Sequence, residues 1–159
     1  AVLEHSPVPD DQAIQNALTL PGGGCHKVGR GQVTNDSELA MCLAQGLADG
    51  SGVLNLNKIA SWYGKWVESK PFDIGGTTRN SLPKAVGMKE HQAEMVRRGA
   101  KLPVESQSNG ALMRISPLCV WCAKLKKEDL IKAVTEETIL THPNEAIVAS
   151  NMHIQYNIF

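Results

Sequence analysis

The chain has little of what a β-rich or disulfide-held fold needs. Its 159 residues include only two Phe and two Tyr, and nowhere do apolar and polar residues alternate for long, which argues against sheets. Four cysteines, Cys25, Cys42, Cys119 and Cys122, are too sparse for a disulfide scaffold at this length, so a reducing compartment, the cytoplasm, is the expectation. Charge of one sign is not in excess: Lys plus Arg and Asp plus Glu both number 16. The footprint of a nucleic-acid binder is therefore missing, while a small anionic ligand, which needs only a few placed donors, is still allowed. No apolar run approaches the roughly 18 residues of a membrane-spanning helix. The start, Ala1-Val2-Leu3, is too short for the apolar core of a signal peptide and reads as trimmed. Internal repeats, low-complexity tracts and linkers are also missing, and the length suits one domain with a core of its own.

What is present has helical period. Ile59, Trp62, Tyr63, Trp66 and Val67 fall at i, i+3, i+4, i+7 and i+8, one apolar stripe on a helix over Asn57–Val67 with Asn57 as its cap. A second helix is expected over Asn35–Ala48. It opens with Asn35 and Glu38 in capping-box spacing, turns Leu39, Cys42, Leu43 and Leu47 inward, and is closed by Asp49-Gly50-Ser51-Gly52. Further helices are expected over Glu128–Leu140, with Leu130, Ile131 and Val134 inward, and over Asn144–Tyr156. Weaker patterns cover Asp10–Leu18, Asn80–Met88 and Glu90–Arg98. Gly110–Leu125 is apolar nearly all round, and Pro117 should divide it into two short buried pieces. The fold class is all-α.

Three stretches interrupt this pattern with glycine and polar residues and are expected as loops: Pro21–Gly31, Gly75–Thr78 and Ser106–Gly110. In a helical protein, loops of this kind that lead into helix starts expose backbone donors. The segment Thr34-Asn35-Asp36-Ser37-Glu38 places a hydroxyl, a carboxamide and carboxylates at a helix start. Capping is the commoner use of such residues. Oxygen donors of this kind also suit a hard divalent cation, although the positive end of the helix dipole disfavours one unless nearby anionic charge offsets it. Spacing alone leaves both uses open.

The order of the motifs resembles the ADP-ribosylglycohydrolase family. Pro21-Gly22-Gly23-Gly24 followed by Gly31 to Ala40 is similar to the family's Gly-rich run and Thr-Asp-Asp-Thr/Ser-Glu motif. Tyr63-Gly64-Lys65-Trp66 resembles its Tyr-x-x-Trp helix, and Gly75-Gly76-Thr77-Thr78 its Gly-x-Thr-Thr segment. Ser108-Asn109-Gly110-Ala111-Leu112-Met113-Arg114 resembles its Asn-Gly loop, Thr141-His142 its Thr-His motif, and Val2-Leu3-Glu4 the end of its opening acidic motif. The resemblance implies an orthogonal helical bundle, here the N-terminal part (1–159) of a single domain that is incomplete. It also implies a hydrolase that removes ADP-ribose from protein side chains or small ADP-ribose conjugates with the help of two Mg²⁺, or Mn²⁺. By the same resemblance, Thr34, Asn35 and Asp36 are metal ligands and Glu4 and Asp36 are catalytic candidates. Asn109, Gly110 and Ala111 cradle the diphosphate, and His142 reaches the phosphate region. No nucleic-acid or membrane partner is implied.

Two departures bear on that expectation. Asn35 stands where the family usually has Asp; its amide oxygen can still ligate Mg²⁺, but one negative charge is lost. The family's C-terminal Asp-x-Asp-Thr motif and its opening Gly-Asp have no counterpart in these residues. The alternative is therefore a non-catalytic member of the same fold that has lost part of the metal site. Half of a helical bundle would also expose core-facing stripes and favour association.

Other residues have simpler readings. Cys119-Val120-Trp121-Cys122 lacks the second pair of a zinc site and the βαβ context of a redox site, so buried structural cysteines are expected. The Trp62, Tyr63, Trp66 stripe reads as core. Arg114 could face phosphates, or it could pair with a carboxylate and brace the 109–110 loop.

Overall fold

A computed structural model describes residues 3, 7–82, 93–94, 96 and 104–158, with side chains through Ile154. Seven helices are assigned among them: α1 Asp11–Leu18, α2 Asn35–Asp49, α3 Leu56–Glu68, α4 Gly76–Ser81, α5 Ser116–Cys122, α6 Lys127–Thr138 and α7 Glu145–Ile158. The one β feature among the described residues is an isolated antiparallel bridge between Gly23 and Val28. The all-α expectation holds. The chain divides into two compact units, Ala1–Asn35 and Asp36–Phe159.

The N-terminal unit carries α1 and the glycine loop. Asp10 caps α1 through its carboxylate, which accepts from Ala13 N at 2.8 Å. The loop folds back at the Gly23–Val28 bridge, whose two backbone bonds are 2.7 and 3.0 Å. Gly22 has φ +83°, and a Cβ there would lie 2.7 Å from the Val28 carbonyl oxygen. Both its conformation and its packing therefore require glycine.

The second unit holds the main core. Leu39, Leu43 and Leu47 of α2 are buried with Ile59, Tyr63 and Trp66 of α3, as the helical stripes predict, while Cys42 and Trp62 are half-buried. The two helices run antiparallel, since the indole N–H of Trp66, late in α3, donates to Glu38, early in α2, at 2.7 Å. A second indole, Trp62, donates to Asp49 at the other end of α2, also at 2.7 Å, with Lys65 Nζ 3.8 Å from its ring centroid. The backbones approach closely at Gly46, where a Cβ would lie 2.7 Å from Ile59 Cα and 2.8 Å from its Cγ1.

Local details differ from the sequence expectation where side chains found distant partners. Asn57 does not cap α3. Asn55 does, accepting from Asn57 N at 3.1 Å and Lys58 N at 3.2 Å, while the Asn57 side chain accepts from Ala93 N at 3.2 Å. Gly75–Thr78 is not a loop. Gly75 is the N-cap of α4, and Thr77 and Thr78 lie within the helix, both buried. Of the helix expected over Asn80–Met88, residues from 83 onward lie outside the described set, as does most of Glu90–Arg98; Ala93, Glu94 and Val96 are helical. Pro117 does divide Gly110–Leu125. It sits in the first turn of α5, where its missing N–H costs nothing. On that helix Cys119 and Cys122 are buried free thiols. Burial pushes both upward, Cys122 to about 11, so they are protonated core residues.

Gly46→Ala is expected to destabilise the protein by about 1–3 kcal/mol through overpacking. The clash is with Ile59 backbone, so it should outweigh the ~1 kcal/mol that alanine gains in helix propensity. Urea denaturation would measure it; equal or greater stability would contradict the close approach of α2 and α3.

Candidate functional site

A polar cluster in the second unit forms where three segments meet: the start of α4, the Ser106–Gly110 loop and the Thr141-His142 pair that follows α6. Ser81 Oγ of α4 donates to Thr77 O at 3.0 Å and to Thr141 O at 3.3 Å, which ties the first segment to the third. On the loop side, Asn144 Nδ2 donates to Val104 O at 3.0 Å.

These ties bring five polar side chains into one hydrogen-bonded series. Thr141 Oγ1 is 2.7 Å from His142 Nδ1, and His142 Nε2 is 3.0 Å from Ser108 Oγ. Ser108 Oγ donates to Thr77 Oγ1 at 3.1 Å, and Thr77 Oγ1 is 2.7 Å from Ser106 Oγ. His142 and Thr141 are fully buried, whereas Ser108 and Asn109 are exposed. Gly110 closes the space beneath the imidazole. A Cβ there would lie 2.8 Å from His142 Cε1, 2.9 Å from its Nε2 and 2.9 Å from Thr78 Oγ1. Any larger residue at 110 displaces the ring.

Behind the loop lies a charged pair with no exposed surface. Arg114 Nε donates to Glu137 Oε1 at 2.8 Å, and Arg114 Nη1 donates to the Gly110 carbonyl at 3.1 Å. Tyr63 O–H donates to the same Glu137 oxygen at 2.6 Å, and the Arg114 guanidinium lies 4.7 Å from the Tyr63 ring centroid. Burial opposes the charge on Arg114, but the Glu137 carboxylate beside it raises its pKa overall. Burial also drives the Tyr63 hydroxyl far above its ordinary range. The two possibilities for Arg114 are thereby resolved: it pairs with a carboxylate and braces the loop.

His142 is held neutral. Burial lowers its pKa to about 3, and the positive charge of Arg114 adds to the effect. So weak a base does not activate a serine at neutral pH, and the group behind the ring is a threonine hydroxyl where a nucleophile–base pair would need a carboxylate. The arrangement is suited to holding an anion. The loop supplies hydroxyl and backbone donors, and none of the side chains in the series is a carboxylate.

The residues expected from sequence fall into separate places. Gly110 and His142 are brought into contact and Ala111 is buried next to them. The Asn109 carbonyl accepts from Met113 N at 3.0 Å, closing the turn. Asn35 and Asp36 occupy the first turn of α2, directly after Thr34. Thr34 and Asn35 are buried and Asp36 is exposed. Glu4 lies outside the described residues. Among the described residues no group of three His, Cys, Asp or Glu side chains gathers as a metal set. The α2 turn does fit part of a hard-cation shell, since its donors are oxygen, but of its two carboxylates, Asp36 and Glu38, the second accepts from the Trp66 indole at 2.7 Å.

Sequence reasoning missed Ser106, Ser108, Thr77, Thr141 and above all Glu137. A signal for Glu137 existed: it continues the inward stripe Leu130, Val134 at i+7, and a carboxylate on an apolar stripe needs a buried cation. The hydroxyls gave no such signal, because Ser and Thr are ordinary in loops and caps.

A helical protein with a donor-rich loop braced from behind has the chemistry to hold an anionic ligand. The family model described as ADP-ribosylglycohydrolase matches residues 4–156, and the chain belongs to that family. It is 32% identical over 130 residues to a protein of Acanthamoeba polyphaga mimivirus that carries the ADP-ribosyl glycohydrolase name. It is 31% identical over 98 residues to an ADP-ribosyl-dinitrogen reductase glycohydrolase of Rhodospirillum rubrum, and 25% identical over 163 residues to an ADP-ribosylarginine hydrolase of Pseudomonas putida. These matches take in 79%, 62% and 94% of this chain but 38%, 31% and 41% of the relatives, so the chain spans about two fifths or less of their length. No helix among the described residues is long and apolar enough to cross a membrane.

Removing one member of the buried pair leaves the other charge uncompensated. Arg114→Met should cost about 3–5 kcal/mol, and the double variant Arg114→Met, Glu137→Leu should recover part of that. Denaturant unfolding of the singles and the double would show it; additive losses would mean that the pair is not coupled. Because the folded state keeps His142 neutral while the unfolded chain takes up a proton near pH 6.5, its contribution is complete above that pH. It is lost progressively as pH falls toward about 3. The acid slope of Tm should therefore flatten in His142→Gln, and an unchanged slope would contradict a depressed His142.

Proposed function

We propose that the chain is part of an ADP-ribosyl hydrolase whose Ser108-Asn109-Gly110 loop and His142 hold the diphosphate of the ligand. The observation that carries this is the packing of Gly110 under the His142 ring, with the Gly110 carbonyl fixed by the buried Arg114. The Ser106–Gly110 segment thereby offers neutral hydroxyl and backbone donors from a backbone fixed at Gly110. A diphosphate held by neutral donors is not drawn into a full ion pair, so it can leave after the reaction.

The oxygen donors of Thr34, Asn35 and Asp36 would hold Mg²⁺. A divalent ion there supplies orientation of the ribose hydroxyls and offsets charge that develops at the glycosidic oxygen. Asp36 is an exposed carboxylate on the first turn of α2. It is an acidic group through which a water could be deprotonated or a leaving group protonated, and Glu4 is the other candidate that the family resemblance implies. The substrate class is ADP-ribosylated protein side chains, in line with the names of the R. rubrum and P. putida relatives, or small ADP-ribose conjugates.

Calorimetric titration with ADP-ribose tests the reading. Binding is expected both without and with Mg²⁺, tighter with it, and Asp36→Ala should abolish the Mg²⁺ gain while leaving the metal-free affinity within about twofold. Asn35→Asp, which restores a charge, should tighten Mg²⁺ by about tenfold, the value of roughly one 1.4 kcal/mol charge interaction in a partly exposed site. Absence of ADP-ribose binding in both conditions would overturn the proposal.

A further inference from the structure

The five-member series at the loop has a direction, and its buried end fixes it. At the loop end, Ser108 has one hydroxyl proton, which it donates to Thr77 Oγ1. In that state Ser108 Oγ meets His142 Nε2 at 3.0 Å as an acceptor and Nε2 carries the ring proton, but the exposed Ser108 hydroxyl can turn, so this end follows the ring and does not fix it. At the buried end, Thr141 Oγ1 lies 2.7 Å from His142 Nδ1 in a region with no exposed surface. Its hydroxyl makes no other hydrogen bond among the described residues. Were Nδ1 protonated, the Thr141 proton would be buried without an acceptor, which costs about 1–3 kcal/mol. The buried end therefore selects the Nε2–H tautomer, and the contacts at the loop end are compatible with it.

The rest of the series follows. The 2.7 Å contact between Thr77 Oγ1 and Ser106 Oγ can be donated by either hydroxyl; with Thr77 accepting from Ser108, its own proton is left for Ser106 Oγ. Ser106 also accepts from Ser108 N at a long 3.4 Å. The proton left over is that of the Ser106 hydroxyl, on the half-buried, solvent-reaching end of the series. The polarity therefore runs from the buried Thr141 outward through the imidazole and delivers a donor at the loop surface. Reversing the tautomer reverses that polarity and presents lone pairs to the ligand.

We propose that Thr141 is a positioning residue: its buried hydroxyl locks His142 in the Nε2–H tautomer, which polarises Ser108, Thr77 and Ser106 so that the loop offers a donor to an anionic oxygen. This rests on the diphosphate-binding reading of the loop but does not need the metal or any catalytic step. Burial and the neighbouring Arg114 charge, which keep the ring uncharged, are consistent with a single fixed tautomer.

Two-bond ¹⁵N–¹H spectra of the imidazoles in the ligand-free protein test it, with the His142 signals identified by their loss in His142→Gln. The expected spectrum shows a protonated Nε2 and an unprotonated Nδ1. Thr141→Val keeps the shape and removes the donor. It should give a mixture of tautomers and weaken ADP-ribose by about fivefold, the effect of one net hydrogen bond. Thr141→Ser should restore both the spectrum and the affinity. A protonated Nδ1 in the parent protein, or an unchanged tautomer in Thr141→Val, would overturn the proposal. Should Thr141→Val not fold, the parent spectrum and Thr141→Ser decide it alone. The expected tautomer together with no ADP-ribose binding would instead count against the ligand reading and leave the lock standing.

Discussion

The Arg114–Glu137 pair is the interaction on which the rest of the second unit depends. Both groups are fully buried, so each has given up its hydration, and their attraction compensates only with good geometry and further hydrogen bonds. Those bonds reach three separate elements. Glu137 on α6 takes the Tyr63 hydroxyl of α3 as well as Arg114, and Arg114 takes the Gly110 carbonyl of the loop. Arg114 Nη2 and Glu137 Oε2 have no partner among the described residues. An apolar trio of similar volume would have filled the space at lower electrostatic cost. It could not have fixed the Gly110 carbonyl, which needs a hydrogen-bond donor such as Arg114 Nη1.

With Gly110 fixed, the loop is held against His142. The close approach of its backbone to His142 leaves no room for a side chain at position 110. The imidazole is then enclosed on one side by the loop and on the other by Thr141, and burial with the nearby guanidinium keeps it uncharged. The same cation thus serves mechanically through its hydrogen bond and electrostatically through its field. A neutral imidazole in a line of hydroxyls is a dipolar element, well matched to an anion and poorly matched to proton abstraction.

The oxygen-rich start of α2 is held in a different way. Indole–carboxylate bonds attach α2 to α3 near both ends, Glu38 to Trp66 and Asp49 to Trp62, and Gly46 allows the backbones to touch between them. Glu38, which shares the motif with Asp36, is therefore committed to packing, and its charge is turned to a structural partner. Asp36 keeps its exposed position at the helix end, where a bound cation would have to overcome the helix dipole.

Periodicity was enough to establish the helical class and most of the core, because the stripes Leu39, Leu43, Leu47 and Ile59, Tyr63, Trp66 report burial through spacing alone. The ordered motifs also indicated the family and the Gly110–His142 region. Tertiary structure alone decided what the polar residues do. Asn57, Thr77 and Glu38 each have a local use in a cap or a turn, and each was drawn to another use by a partner or by burial set far along the chain. Whether Arg114 faces a ligand or a carboxylate could not be read from its neighbours in sequence, since its partner Glu137 is 23 residues away. A hydrogen bond is short-ranged and directional, so its partner is fixed only when helices have packed, whereas the pull of apolar side chains into the core needs no particular partner and is written in the order of the residues.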